Sequence, residues 1–135
     1  MRDNVLTGKV VLVTGGTGSF GQKFVEIALK QEPKSIRIFS RGEYLQSQMQ
    51  QRFNDKRLRF FIGDGRDRFR VYRAAVGVDI IVHVAALKQI PTAEYNPIEA
   101  VKTNIFGSIN LVDAAIDQKV GKVIAISSDK AAQPL

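Results

Sequence analysis

Apolar residues in this chain recur in two rhythms. Five short runs rich in Val, Ile and Phe, at Lys9–Thr14, Ser35–Ser40, Leu58–Ile62, Asp79–Val84 and Lys122–Ser127, have the length of strands. Successive apolar positions, as in Val10-Val11-Leu12-Val13 and Ile80-Ile81-Val82, predict parallel strands covered on both faces. Between the runs the spacing changes to threes and fours. Phe20, Phe24, Ile27 and Ala28 lie on one side of a predicted first helix, with Gln22, Lys23, Glu26 and Lys30 on the other. Leu45, Met49 and Phe53 mark a second helix, and Phe69, Tyr72 and Val76 a short third one. The spacing predicts a fourth helix, which Asn96 can cap and whose first position Pro97 fits, with Ile98, Val101, Ile105, Ile109, Val112 and Ile116 stepping by three and four before Gly121 ends it.

Strands alternating with helices over short connections predict an α/β fold of the Rossmann type, a doubly wound parallel sheet of about five strands in the order 3-2-1-4-5. With 135 residues, 44% of them hydrophobic, residues 1–135 are expected to form one nucleotide-binding domain around one sizeable core. No repeat, low-complexity tract or Gly/Ser linker divides them. The fifth strand is followed closely by Pro134-Leu135, which leaves it an exposed edge open to pairing with a second copy, so a homo-oligomer is expected.

Without cysteine there is no disulfide or thiolate chemistry, and the single His83 supplies too few nitrogen ligands for a metal site, so none is expected. No apolar run reaches membrane-spanning length and the N-terminus lacks a secretory core, which makes a cytoplasmic protein with no membrane partner the expectation. The net charge of +7 is local: eight of the twenty Lys and Arg residues fall between Arg52 and Arg73, offset by Asp55, Asp64 and Asp67. This reads first as a solvated face and only second as a nucleic-acid surface, because no recognition motif accompanies it.

Chemistry enters at Thr14-Gly15-Gly16-Thr17-Gly18-Ser19-Phe20-Gly21, between the first strand and the first helix. Gly15 suits a tight turn, Gly18 a close backbone approach to a pyrophosphate, and Gly21 helix–sheet packing. Thr17, Ser19 and Phe20 complete the turn that presents the helix N-terminus to phosphates. At the tip of the second strand, where an acidic residue would grip the ribose of NAD, stand Ser40 and Arg41. A guanidinium and a hydroxyl there favour the 2′-phosphate of NADP, unless Arg41 is merely solvated and Glu43 contacts NAD. Asp64 either accepts from the adenine amino group or caps the next helix. Ala85 and Ala86 leave room for the nicotinamide half, and Lys88 reaches a phosphate, a substrate or only solvent.

These residues, with Phe39-Ser40-Arg41-Gly42-Glu43, Ala85-Ala86-Leu87-Lys88-Gln89-Ile90-Pro91, Lys102-Thr103-Asn104-Ile105-Phe106-Gly107 and Ser127-Ser128-Asp129-Lys130-Ala131-Ala132, resemble the extended short-chain dehydrogenase/reductase superfamily. Within it the chain resembles the N-terminal part of the inverting UDP-N-acetylglucosamine 4,6-dehydratases, of the polysaccharide biosynthesis protein family. The resemblance implies a lyase that takes a hydride from sugar C4 onto NADP and returns it to C6 after water is lost across C5 and C6. It implies Lys130 as the base at C5, Asp129 as the acid at C6, Ser128 orienting the sugar, and Asn104 as a structural residue under the site; Asp129-Lys130 read alone could be an exposed ion pair.

Two departures stand out. The family's Tyr-x-x-x-Lys is missing, since Tyr44, Tyr72 and Tyr95 precede Gln48, Val76 and Glu99 by four, and Gly65 replaces a larger apolar residue at the adenine pocket. The chain is therefore expected to be a fragment, short of the sixth strand and substrate lobe and nearly inactive alone. The alternatives are a stand-alone dinucleotide-binding, oligomerising module and a fragment of a UDP-sugar 4-epimerase.

Overall fold

A computed structural model of the chain describes residues 5–15, 17–85 and 108–127. Five strands, β1 (Val10–Thr14), β2 (Ser35–Ser40), β3 (Leu58–Ile62), β4 (Ile80–Ala85) and β5 (Lys122–Ser127), form one sheet in the order β3-β2-β1-β4-β5. All four pairings are parallel, with Val11 opposite Ile36 and Ile80, and Ile38 opposite Phe60. The strands match the apolar runs to within one residue, and the order is that of a Rossmann-type fold.

Side chains alternate between the faces of a strand, so each face feeds its own core. Val11, Val13, Ile36, Ile38, Leu58, Ile80 and Val82 pack with Val25 and Ala28 of α1 (Ser19–Leu29) and Met49 of α2 (Glu43–Phe53). Leu12, Phe39 and Ile81 pack on the other side with Val71, Ala74 and Ala75 of α3 (Arg68–Ala74) and its C-cap, and with Leu111, Ala114 and Ala115 of the helical segment 108–117. Arg37 fixes α3 from within the sheet, its Nη1 donating to the carbonyls of Ala74 (2.8 Å) and Val76 (2.6 Å) at the helix C-terminus. Burial lowers the pKa of that guanidinium.

Helix α2 buries Met49 and packs Phe53 on the core as the spacing predicts, and Tyr72 of α3 packs on the other core, but elsewhere several large apolar residues of the expected stripes turn away from the sheet. In α1 the buried residues are Gly21, Val25 and Ala28; of the expected stripe Ala28 is in the core and Phe24 packs at its margin, while Phe20 and Ile27 are about half exposed. In and beside α3, Phe69 and Val76 are exposed and Val71, Ala74 and Ala75 buried; in the segment 108–117, Ile109, Val112 and Ile116 are exposed and Leu111, Ala114 and Ala115 buried. In each case Gly or Ala residues make up much of the buried stripe, beside Val25, Val71 and Leu111. The start of the fourth helix, with Asn96, Pro97, Ile98, Val101 and Ile105, lies outside the described residues.

Among the described strands β5 stands at the edge, paired with β4 alone, with Val123 and Ile124 exposed. Among the described residues no helix is long and apolar enough to cross a membrane, and no group of three or more His, Cys, Asp or Glu side chains comes together as a metal site.

Candidate functional site

The carboxyl ends of β1, β2, β3 and β4 lie side by side, which brings the glycine turn, Ser40, Arg41, Asp64 and Ala85 to one edge of the sheet. Gly15 has φ +76°, a left-handed conformation, and a Cβ there would stand 2.7 Å from the carbonyl oxygen of Val84. Its N–H donates to the carbonyl of Phe39 (3.1 Å), so the turn is held by β2 on one side and by the close approach of β4 on the other. Thr14, just before it, shares a 2.5 Å hydrogen bond between Oγ1 and Nδ1 of His83, its register partner on β4. Burial lowers the pKa of His83, which favours its neutral form.

At Gly18, the N-cap of α1, a Cβ would meet nothing within 4 Å. Among the described residues no side chain caps this helix start. Gln22 steadies the turn instead, through its N–H to the Gly18 carbonyl (2.9 Å) and its side-chain amide to the Thr17 carbonyl (2.8 Å). Thr17 is buried, Gly21 is buried in α1, and Ser19 and Phe20 are exposed in its first turn. Open space at Gly18 beside amides with no capping side chain and a positive dipole end suits a phosphate.

The β2 tip is organised by a residue the apolar pattern did not single out. Gln46 on α2 is buried, and its amide donates to Ser40 Oγ (2.8 Å), to the Phe61 carbonyl (3.0 Å) and, more weakly, to the Ser40 carbonyl (3.3 Å). Gln46 lies three residues before Met49 and seven before Phe53, on the same helical stripe; a polar residue on a core stripe was the available signal. With its oxygen engaged as an acceptor, Ser40 keeps its hydroxyl proton for another partner. Leu45, which marked this helix together with Met49 and Phe53, is less than half exposed rather than buried.

Arg41 is 74% exposed, with Nη1 3.8 Å from Asp64 Oδ2. The Asp64 carboxylate accepts from the backbone N–H of Arg66 (2.9 Å) and pairs with its guanidinium (2.9 Å), and this hydrogen bonding to Arg66 holds Asp64 below the usual carboxylate range. The N-cap of α3 is Asp67, whose side chain accepts from the Arg70 N–H, so the capping alternative for Asp64 gives way to Asp67. Gly63, preceding Asp64, lies against Phe39: a Cβ there would be 2.7 Å from the ring. The carbonyl of Gly65 accepts from the side chain of Asn110 (2.9 Å), which ties this turn to the segment 108–117.

Much of the basic run is engaged internally. Arg52 pairs with Glu26, Arg57 with Asp55, Arg66 with Asp64 and Arg68 with Asp113, while Arg59 and Arg70 donate to backbone carbonyls. Ala85 closes β4 opposite Ser127. Ala86, Lys88, Asn104, Ser128, Asp129 and Lys130 lie outside the described residues.

Similarity to known proteins runs through most of the chain. The profile of the polysaccharide biosynthesis protein family matches residues 11–135. A UDP-N-acetylglucosamine 4,6-dehydratase (inverting) of Campylobacter jejuni is 46% identical over 132 residues, 97% of this chain and 40% of the relative. A UDP-glucose 4-epimerase of Rickettsia felis is also 46% identical, over 94% of this chain and 38% of its own length. Of solved structures, Pen from Bacillus thuringiensis superposes with a TM-score of 0.86 at 47% identity, covering 96% of this chain and 40% of that one. A dTDP-glucose 4,6-dehydratase from Streptomyces venezuelae, solved with NAD and TYD bound, gives 0.74 at 31% identity over 84% of this chain and 38% of that one. The chain thus spans about two fifths of the length of the curated relatives it matches. With its 3-2-1-4-5 sheet, glycine turn and this match over nearly all its residues, the chain belongs to the polysaccharide biosynthesis protein family and has the Rossmann-type fold of the short-chain dehydrogenases/reductases.

Proposed function

We propose that the chain binds NADP at the carboxyl edge of its sheet and forms the cofactor-holding part of a UDP-N-acetylglucosamine 4,6-dehydratase of polysaccharide or flagellin-sugar synthesis. The observation that carries this reading is the seat of the glycine turn, where Gly15 fits against Val84 and the open side of Gly18 faces an α1 N-terminus with no capping side chain. A pyrophosphate there meets backbone N–H groups and a positive dipole end. Ser40 and Arg41 at the β2 tip supply a hydroxyl and a guanidinium for the 2′-phosphate, in the place where NAD-binding proteins carry an acid. The NAD bound in the Streptomyces venezuelae structure supports a dinucleotide in this fold, and the substrate follows from the name of the Campylobacter jejuni relative.

When bound, the cofactor supplies reversible hydride storage at sugar C4 and C6. Under this proposal Lys130 removes the C5 proton, Asp129 assists departure of the C6 hydroxyl, Ser128 orients the sugar with Lys88 touching it or a phosphate, Ala85 and Ala86 leave room for the cofactor's nicotinamide half, and Asn104 serves as a structural residue of the site. The 135 residues contain no Tyr-x-x-x-Lys, so this polypeptide alone binds cofactor without turning over sugar, and the protein works in the cytoplasm. Titration of NADPH fluorescence tests the binding: enhancement on adding the chain is expected, and an unchanged signal at saturating protein would refute it.

The 4-epimerase named for the Rickettsia felis relative favours a second reading with the same cofactor site, separated from the first by whether product sugars retain the C6 hydroxyl. Exposure of Val123 and Ile124 on β5 favours self-association through that strand, which sedimentation of the chain would reveal as a dimer.

A further inference from the structure

The glycine turn is clamped from α2 through one side chain of α1. Gln22 stands on the polar side of α1 with Lys23 and Glu26, yet both ends of its amide are engaged. Its Nε2 donates to the carbonyl of the buried Thr17 (2.8 Å), and its Oε1 accepts from Nη1 of Arg52 (2.7 Å), in the last turn of α2. The Arg52 guanidinium lies over the Phe53 ring, 4.8 Å from its centroid, and 3.6 Å from Glu26, one turn along α1 from Gln22. Three groups thus hold Arg52 in place, although it is half exposed.

A guanidinium only donates hydrogen bonds, so the amide oxygen of Gln22 has to face Arg52 and its nitrogen has to face Thr17. Arg52 therefore sets which way the amide is turned. The backbone N–H of Gln22 holds the next carbonyl along, that of Gly18, at 2.9 Å. A trans peptide points its N–H opposite to its carbonyl. With the Thr17 and Gly18 carbonyls both drawn to Gln22, the N–H groups of Gly18 and Ser19 point away from it, off the N-terminal end of α1. Helix formation fixes the second of these peptides through the first intrahelical bond. The Thr17–Gly18 peptide lies before the helix, next to a glycine N-cap in extended conformation (φ −73°, ψ 175°), and it is the Gln22 side chain that fixes its orientation.

We infer that Gln22 is a positioning residue for the cofactor's pyrophosphate, oriented by Arg52, and that the two hold the Thr17–Gly18 peptide with its N–H turned to the anion. This rests on the dinucleotide reading above. It adds one residue that acts through the backbone of the turn and one that acts on it from a different helix.

The test is calorimetric titration of the chain, of Gln22→Leu, of Arg52→Met and of the double variant with NADP⁺, NAD⁺ and 2′-AMP. The last ligand carries adenine and the 2′-phosphate without a pyrophosphate. Gln22→Leu is expected to weaken NADP⁺ and NAD⁺ alike by about 5-fold or more, the worth of one hydrogen bond, and to change 2′-AMP by less than about twofold. Arg52→Met, a change at a half-exposed position that reads the same selectivity whether or not Gln22→Leu folds, is expected to weaken both dinucleotides by a smaller factor. It should add nothing in the Gln22→Leu background, because it acts through the Gln22 amide. Unchanged dinucleotide affinity in either single variant, a loss shared equally by 2′-AMP, or additive effects of the two substitutions would overturn the assignment. Failure of the unmodified chain to bind any of the three ligands would instead remove the underlying cofactor reading, and this assignment with it.

Discussion

The α-carbon of Gly15 faces the carbonyl oxygen of Val84 so closely that a Cβ would stand 2.7 Å from it. The obstacle is backbone rather than a movable side chain, and φ +76° adds strain for any L-residue. Gly15→Ala is therefore expected to destabilise the fold by about 1–3 kcal/mol in denaturant unfolding and to weaken dinucleotide binding at least 10-fold. An alanine variant with unchanged stability and affinity would show that the turn is not held as described.

Gln46 links the tips of β2 and β3. Replacing it by Leu leaves the Phe61 carbonyl without this donor and frees Ser40 Oγ, at an expected cost of about 1–3 kcal/mol. Because Ser40 is assigned to the 2′-phosphate, NADP⁺ binding should fall more than NAD⁺ binding. Equal losses for both would mean that Gln46 serves stability alone.

His83 gives the stability a pH dependence. Burial sets its folded pKa below the ordinary 6.5, so the unfolded chain takes up a proton first as the pH falls. The contribution of neutral His83 is fully present above about pH 6.5 and declines below it, until the folded pKa is passed. His83→Gln should flatten that part of the curve of unfolding free energy against pH.

Asp55 acts at lower pH. Its hydrogen bonds with Arg57 hold its pKa at about 2, against an ordinary 3.8. Its stabilisation is present above the unfolded value and is lost as the pH falls through about 2; solvent screening limits it to about 1 kcal/mol. Asp55→Asn should lower stability at neutral pH while leaving stability near pH 2 almost unchanged.

The strands were legible because a parallel strand buried on both faces is apolar at nearly every position, a signal that needs no knowledge of its neighbours. Helix contacts were legible only in part: Gly21, Phe24, Ala28, Met49, Phe53 and Tyr72 were read from spacing or the glycine turn and are buried or pack on the core. Ala74, Ala75, Ala114 and Ala115 carry little hydrophobic weight in a sequence, yet they are buried in the core on one face of the sheet. Phe20, Phe69, Ile109 and Ile116 outweigh them in the pattern and are exposed. In the site, Gly15, Gly18, Ser40 and Arg41 were found by position along the chain. The links that hold them, Thr14 to His83, Gln46 to Ser40 and Asn110 to Gly65, join residues 69, 6 and 45 positions apart. The longer two become visible only once the strand order places their elements side by side.

The measurement that tests the central claim most directly is calorimetric titration of the chain with NADP⁺ and then NAD⁺, repeated on Arg41→Ala. The account predicts tighter binding of NADP⁺ than of NAD⁺, with that preference lost in the variant while NAD⁺ binding is retained. Binding of neither dinucleotide, or a preference for NADP⁺ that survives in Arg41→Ala undiminished, would contradict it.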